Sequence, residues 1–161
     1  FVTPAAAKEL GVELVPLPEL MRRADFVSIH CPLSPQTRGL IGAAELALMK
    51  PEAFLVNTAR GGIVDEAALY EVLKHQRIAG AAIDCFDAEP VVAPHPFAEF
   101  DNVLMAPHSI AWTDEMFRDI GTTVCRSVVD LALGRRPNGV VNLEVLERGS
   151  FQRKWERLRL A

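Results

Sequence analysis

Cysteine is scarce in this chain. Cys31, Cys85 and Cys125 are the only three in 161 residues, widely spaced and odd in number. That argues against a disulfide framework or a zinc motif and fits reduced thiols in a cytoplasmic protein. There is no excess of positive charge either. The net charge is −4 and the pI ≈ 5.6, which speaks against a nucleic-acid or anionic-membrane surface as the main partner. No apolar run is long enough to span a bilayer, and no signal-peptide pattern is visible. Internal repeats and low-complexity tracts are missing. So is an initial methionine: Phe1 leads straight into helix-like sequence, and the expectation is a fragment.

What is present suits one domain with a sizeable core. Half the residues are apolar and about a quarter are charged, the balance of a soluble globular protein. Short apolar runs alternate with helix-like runs, the pattern of βαβ units on a parallel sheet. The patterns predict a helix end over "TPAAAKELG" stopped by Gly11, and a strand over Val12–Val15. A helical turn or two follows in "PLPELMRRA", then strands over Asp25–His30 and "AFLVNT", with a short helix over Ala43–Met49 between them. Beyond these come a helix over Glu66–Gln76 and strands over Ala79–Asp84 and Asn102–Pro107. A long amphipathic helix runs from about Thr113 to Leu133 and ends at Gly134. The proline-rich connection between Asp84 and Asn102 is too long for an ordinary turn, and loops of that length are commonly functional or flexible. The end, "SFQRKWERLRLA", reads as a solvated helix.

Ligands of parallel α/β sheets bind beyond the carboxyl ends of the strands. Here those ends carry His30-Cys31-Pro32, then Asn57-Thr58-Ala59-Arg60-Gly61-Gly62, then Asp84 with Glu89 a few residues on, and last Pro107-His108-Ser109. An arginine fork binds a carboxylate through two parallel hydrogen bonds. A histidine exchanges protons near neutral pH, and a carboxylate bonded to it fixes its tautomer and stabilises the imidazolium. Together these types describe reduction of a 2-oxo acid, with the hydride supplied from elsewhere. Singly each signal is weak: a strand-end arginine is more often half of an ion pair, and a histidine there can be a satisfied helix-start residue. Asp84 alone could equally be a turn-former.

Four linked blocks sharpen this. "ADFVSIHCPLSPQTRGLIG", "MKPEAFLVNTARGGIVDEAAL", "GAAIDCFDAEP" and "NVLMAPHSIAW" resemble the D-isomer-specific 2-hydroxyacid dehydrogenases, in the family's order and spacing from about Val2 to Asn142. The resemblance implies a Rossmann-like, doubly wound parallel sheet, α/β in class and incomplete. Residues 1–137 would be the C-terminal portion of the NAD(P)-binding domain, and 138–161 a segment returning to a substrate domain. It also implies a catalytic trio: Arg60 for the substrate carboxylate, His108 as acid/base and Glu89 as its partner. Cys31, Pro32, Thr58, Ala59, Arg60, Asp84, His108, Ser109 and Ala111 match positions that meet the cofactor, NAD or NADP with NAD favoured. A small 2-hydroxy or 2-oxo acid would be the substrate, and a homodimer through the cofactor domain is the family habit. No metal is expected.

The departures are equally specific. Glu52 stands where the family has a glycine or small residue. The family's G-x-G-x-x-G loop and the acid that binds the adenosine ribose are absent, as is its substrate domain. The 161-residue chain by itself is therefore expected to be inactive. The alternatives are an NAD(H)-binding corepressor-like module or an inactive gene remnant; a formate-oxidising relative would have an amide in place of Glu89. Glyoxylate, hydroxypyruvate, pyruvate and phosphoglycerate all stay open as substrates.

Overall fold

A computed structural model describes residues 2–92 and 94–158. Four strands form one parallel sheet: β1 (Phe26–Ile29), β2 (Phe54–Asn57), β3 (Gly80–Ile83) and β4 (Val103–Met105), in the spatial order β1-β2-β3-β4. Phe26 lies opposite Phe54, Phe54 opposite Gly80, and Ala81 opposite Val103. The strands therefore run level, and their carboxyl ends share one edge. Parallel neighbours need a crossover connection. α3 (Ala43–Leu46) separates β1 from β2, α4 (Glu66–Lys74) separates β2 from β3, and a short 3-10 turn (Pro96–Glu99) precedes β4. α1 (Pro4–Glu9) and α2 (Leu17–Arg23) come before the sheet.

The local chemistry explains these elements. Asp65 caps α4 by accepting the Ala68 N–H at 3.0 Å, and Leu69, Val72 and Leu73 bury at helical spacing. Gly11 closes α1 with φ +67°, the left-handed conformation glycine adopts without penalty. The core gathers Met21, Ile29, Leu55, Ile63, Leu73 and Phe97 between sheet and helices. β1 lies at an edge of the sheet, where exposed Phe26 stacks on Phe54 with ring centroids 5.5 Å apart.

One expected strand does not form. Val12–Val15 is irregular, with Val12 and Leu14 exposed. A strand is held by ladder hydrogen bonds to a neighbour, and the Val12 N–H is instead used by the Ala7 carbonyl of α1. Apolar β-branched residues set a preference here, but among the described residues no adjacent strand realises it.

By packing the chain divides into two units, Phe1–Ile110 and Ala111–Ala161; the second takes in the long helix that the sequence reading grouped with the sheet. That second unit holds α5 (Asp114–Ala132), a 3-10 turn (Leu143–Glu147) and α6 (Gly149–Leu158). Thr113 caps α5, and the Trp155 indole N–H of α6 donates to the Leu131 carbonyl at 2.6 Å. Phe117, Ile120, Val124 and Val128 form an exposed apolar row along α5. No helix among the described residues is long and apolar enough to cross a membrane.

Candidate active site

The turn after β2 is built by Asn57. This buried side chain accepts the Ala59 N–H and donates to the Arg60 carbonyl, both at 3.1 Å. Its polar atoms are thereby satisfied, and the chain is turned so that Arg60 projects outward. Arg60 is exposed, and its guanidinium donates to the Ala59 carbonyl at 2.6 Å. Among the described residues no carboxylate lies in ion-pair range of it. An arginine held at the mouth of the core without a partner leaves most of its five donors available.

Gly61 is required by close approach. A Cβ there would overlap the Phe86 carbonyl group, whereas one on Gly121 of α5 would meet open space. Gly61→Ala is expected to cost about 1–3 kcal/mol through overpacking against rigid backbone. Gly121→Ala is expected to be neutral or to stabilise by about 0.5–1 kcal/mol. Urea unfolding of the two variants checks this, and equal midpoints would contradict the packing.

The segment after β3 supplies the acids. Glu89 is anchored by the Phe86 N–H, which donates to Oε1 at 2.9 Å, and its Oε2 lies 2.8 Å from His108 Nδ1. Both side chains are partly exposed. The hydrogen bond with His108 holds the Glu89 carboxyl below its usual range, the Phe86 N–H adds to this, and the Arg60 charge contributes a smaller part. His108 itself sits at φ +54°. That left-handed conformation is uncommon for a residue with a Cβ and gathers at functional sites. Asp84 is buried beneath the same loop and accepts the Ser109 N–H at 2.9 Å and the Ile110 N–H at 3.3 Å. The acid after β3 thus holds the turn after β4. Cys85 is buried beside them. Burial pushes its thiol up, with Asp84 and Glu89 adding to the effect, so it stays protonated.

An open cleft of about 530 Å³ lies beyond the ends of β1 and β2, lined by His30, Cys31, Pro32, Leu33, Thr58, Ala59 and Arg60. The expected residues Cys31, Pro32, Thr58, Ala59 and Arg60 thus share one wall system, while Leu33 is a lining residue the sequence reading did not single out. Asp84, Glu89, His108 and Ser109 form the second group, after β3 and β4. Ala111 begins the second unit. The backbone N–H of Phe86, which orients Glu89, carried no sequence signal, since any residue type has one.

A parallel α/β sheet that gathers a cleft, an arginine and a paired acid and histidine at its carboxyl edge belongs to the open α/β class, whose ligands bind beyond the strand ends. Residues 2–109 match the D-isomer specific 2-hydroxyacid dehydrogenase, NAD binding domain, family, and the chain belongs to that family. It is 43% identical over 144 residues to a D-3-phosphoglycerate dehydrogenase of Methanocaldococcus jannaschii, covering 89% of this chain and 27% of that protein. It is 45% identical over 140 residues to a glyoxylate reductase of Aeropyrum pernix, covering 87% and 42% respectively. A D-lactate dehydrogenase with NAD+ from Lactobacillus jensenii superposes with a TM-score of 0.79 at 31% identity, over 88% of this chain and 46% of that one. The chain spans less than half the length of each of these relatives.

Proposed function

We propose that this chain is the NAD-binding part of a dehydrogenase that interconverts small D-2-hydroxy acids and 2-oxo acids, with Arg60, Glu89 and His108 as its working side chains. The observation that carries the reading is the Glu89–His108 hydrogen bond at 2.8 Å on the same sheet edge as an arginine that lacks a carboxylate partner among the described residues.

The donor set fits the nicotinamide end of a dinucleotide. The cleft wall of Cys31, Pro32, Leu33 and Ala59 is small and apolar, with the Thr58 hydroxyl and Arg60 at its polar side. Cys31, Pro32, Leu33, Thr58 and Ala59 would hold the cofactor, with Asp84 and Ser109 completing its surroundings. When bound, the cofactor supplies or accepts the hydride. NAD is favoured over NADP, although solved relatives include both an NAD complex and an NADPH complex.

The chain's own groups divide the remaining work. Arg60 grips the substrate carboxylate with parallel N–H donors and so fixes which carbon faces the hydride. His108 Nδ1 is occupied by Glu89, which leaves Nε2 to give a proton to the carbonyl oxygen in reduction and to take it back in oxidation. Glu89 sets that tautomer and balances the charge of the imidazolium. Asp84 keeps the turn carrying His108 in place through two backbone N–H groups.

The test is loss of NADH absorbance on addition of glyoxylate, hydroxypyruvate or pyruvate to the full-length protein. Turnover is the expected result; NADH binding without turnover on any 2-oxo acid would favour a binding module instead. The row of Phe117, Ile120, Val124 and Val128 along α5 supports pairing with a second copy. Sedimentation showing a monomer at micromolar concentration would refute that pairing.

A further inference from the structure

Cys85, Glu89 and His108 each offer one ligand atom, and these atoms all lie within 4.8 Å of one another. Cys85 and Glu89 follow β3 while His108 follows β4, so the parallel pairing of the two strands is what brings the three together. Among the described residues no other such group forms. Thiolate, carboxylate and imidazole are the donor types that hold Zn²⁺, and three protein ligands with a fourth position open to water is the accessible form of such a site. The three are already steered toward one point. The Phe86 N–H occupies Glu89 Oε1 and leaves Oε2 against His108 Nδ1, while Cys85 lies buried beside them. Glu89 and His108 are partly exposed, which gives an ion a way in. Bonds of about 2.0–2.3 Å around a tetrahedral ion set ligand atoms about 3.3–3.8 Å apart, so Glu89 Oε2 and His108 Nδ1 would part slightly from their 2.8 Å contact, exchanging that hydrogen bond for the ion, while no ligand atom starts more than 4.8 Å from another.

We infer that Cys85, Glu89 and His108 form an inhibitory binding site for a thiophilic divalent cation such as Zn²⁺ or Cd²⁺. The ion is not a resident cofactor, because the Glu89–His108 hydrogen bond already satisfies the pair without it. Binding takes Cys85 as thiolate and releases its proton to solvent. It takes His108 through Nδ1, whose proton moves to Nε2, and no redox change occurs. With Nδ1 on the ion and Nε2 protonated, the ring can neither accept the substrate's proton nor become an imidazolium. This consequence for turnover rests on the acid/base role proposed above for His108; the binding itself does not.

The binding test uses the chain with Cys31→Ser and Cys125→Ser, so that Cys85 is its only thiol. Titration with Cd²⁺ is expected to raise a thiolate-to-cadmium ultraviolet band that saturates at one equivalent. Glu89→Ala and His108→Ala should each weaken the affinity at least tenfold, with circular dichroism unchanged. No band, or an affinity indifferent to both substitutions, would overturn the site. In the full-length enzyme, Zn²⁺ should inhibit reversibly on chelation. Cys85→Ser should keep basal turnover and require at least tenfold more Zn²⁺, and Cys85→Val, which preserves the buried volume, should behave alike. Inhibition unchanged in both variants would overturn the inference. Absence of turnover without any metal would instead refute the dehydrogenase reading, and the Cd²⁺ titration would still decide the site.

Discussion

His108→Asn in the full-length enzyme is expected to lower kcat for 2-oxo acid reduction by about 10²- to 10⁴-fold, the usual loss when a positioned general acid is removed. Asparagine is chosen because it tolerates the left-handed backbone found at this position, φ +54°. The loss would then report proton transfer and not a collapsed turn. The amide can reach Glu89 but cannot exchange a proton with the substrate. NADH affinity, read by fluorescence titration, should stay within a few-fold, since the cleft of Cys31, Pro32, Thr58 and Ala59 is untouched. A fall in kcat of less than tenfold would remove His108 from the acid/base role. Glu89 sets no limit near neutral pH. Its folded-state pKa is depressed, chiefly by the hydrogen bond with His108, so the support its carboxylate lends is present above the ordinary value of about 4.3. That support is lost only as pH falls through the lower folded value.

Arg60→Ala should reduce kcat/KM by about 10²- to 10³-fold, mostly through KM. One or two charge-assisted hydrogen bonds to the substrate carboxylate disappear, each contributing about 1.5–3 kcal/mol. The fold of the turn should survive, because Asn57 bonds the Arg60 carbonyl and the Ala59 N–H, which the substitution leaves in place. Arg60→Lys should recover only part of the loss, since an ammonium cannot form the parallel fork. Equal loss of substrate use and NADH binding would mean that Arg60 serves the cofactor or the fold.

Much of this arrangement was legible from residue order. The runs that became β1, β2, β3 and β4 stood out as short apolar, β-rich stretches alternating with helical ones, although Phe26, Phe54, Leu104 and Met105 within them are exposed. The helix α4 announced itself through Asp65 and the spacing of Leu69, Val72 and Leu73. Val12–Val15 misled for the complementary reason: its composition favours a strand, but a strand is a property of two segments, and here its first N–H goes to α1. Asp84 was legible as a strand-end acid, while its grip on the Ser109 and Ile110 N–H groups was not, because those donors lie 25 and 26 residues away.

By itself the sequence determined the chemistry available: one arginine fork, two acids and one histidine, each following an apolar run, since side-chain type and local period are properties of the chain alone. Only the tertiary structure decided which of these groups meet. Parallel pairing of β3 with β4 places Glu89 against His108 and Cys85 beside both, and no carboxylate among the described residues reaches Arg60. Such juxtapositions depend on long-range register and backbone hydrogen bonds, which every residue type can supply and which local residue patterns therefore do not reveal.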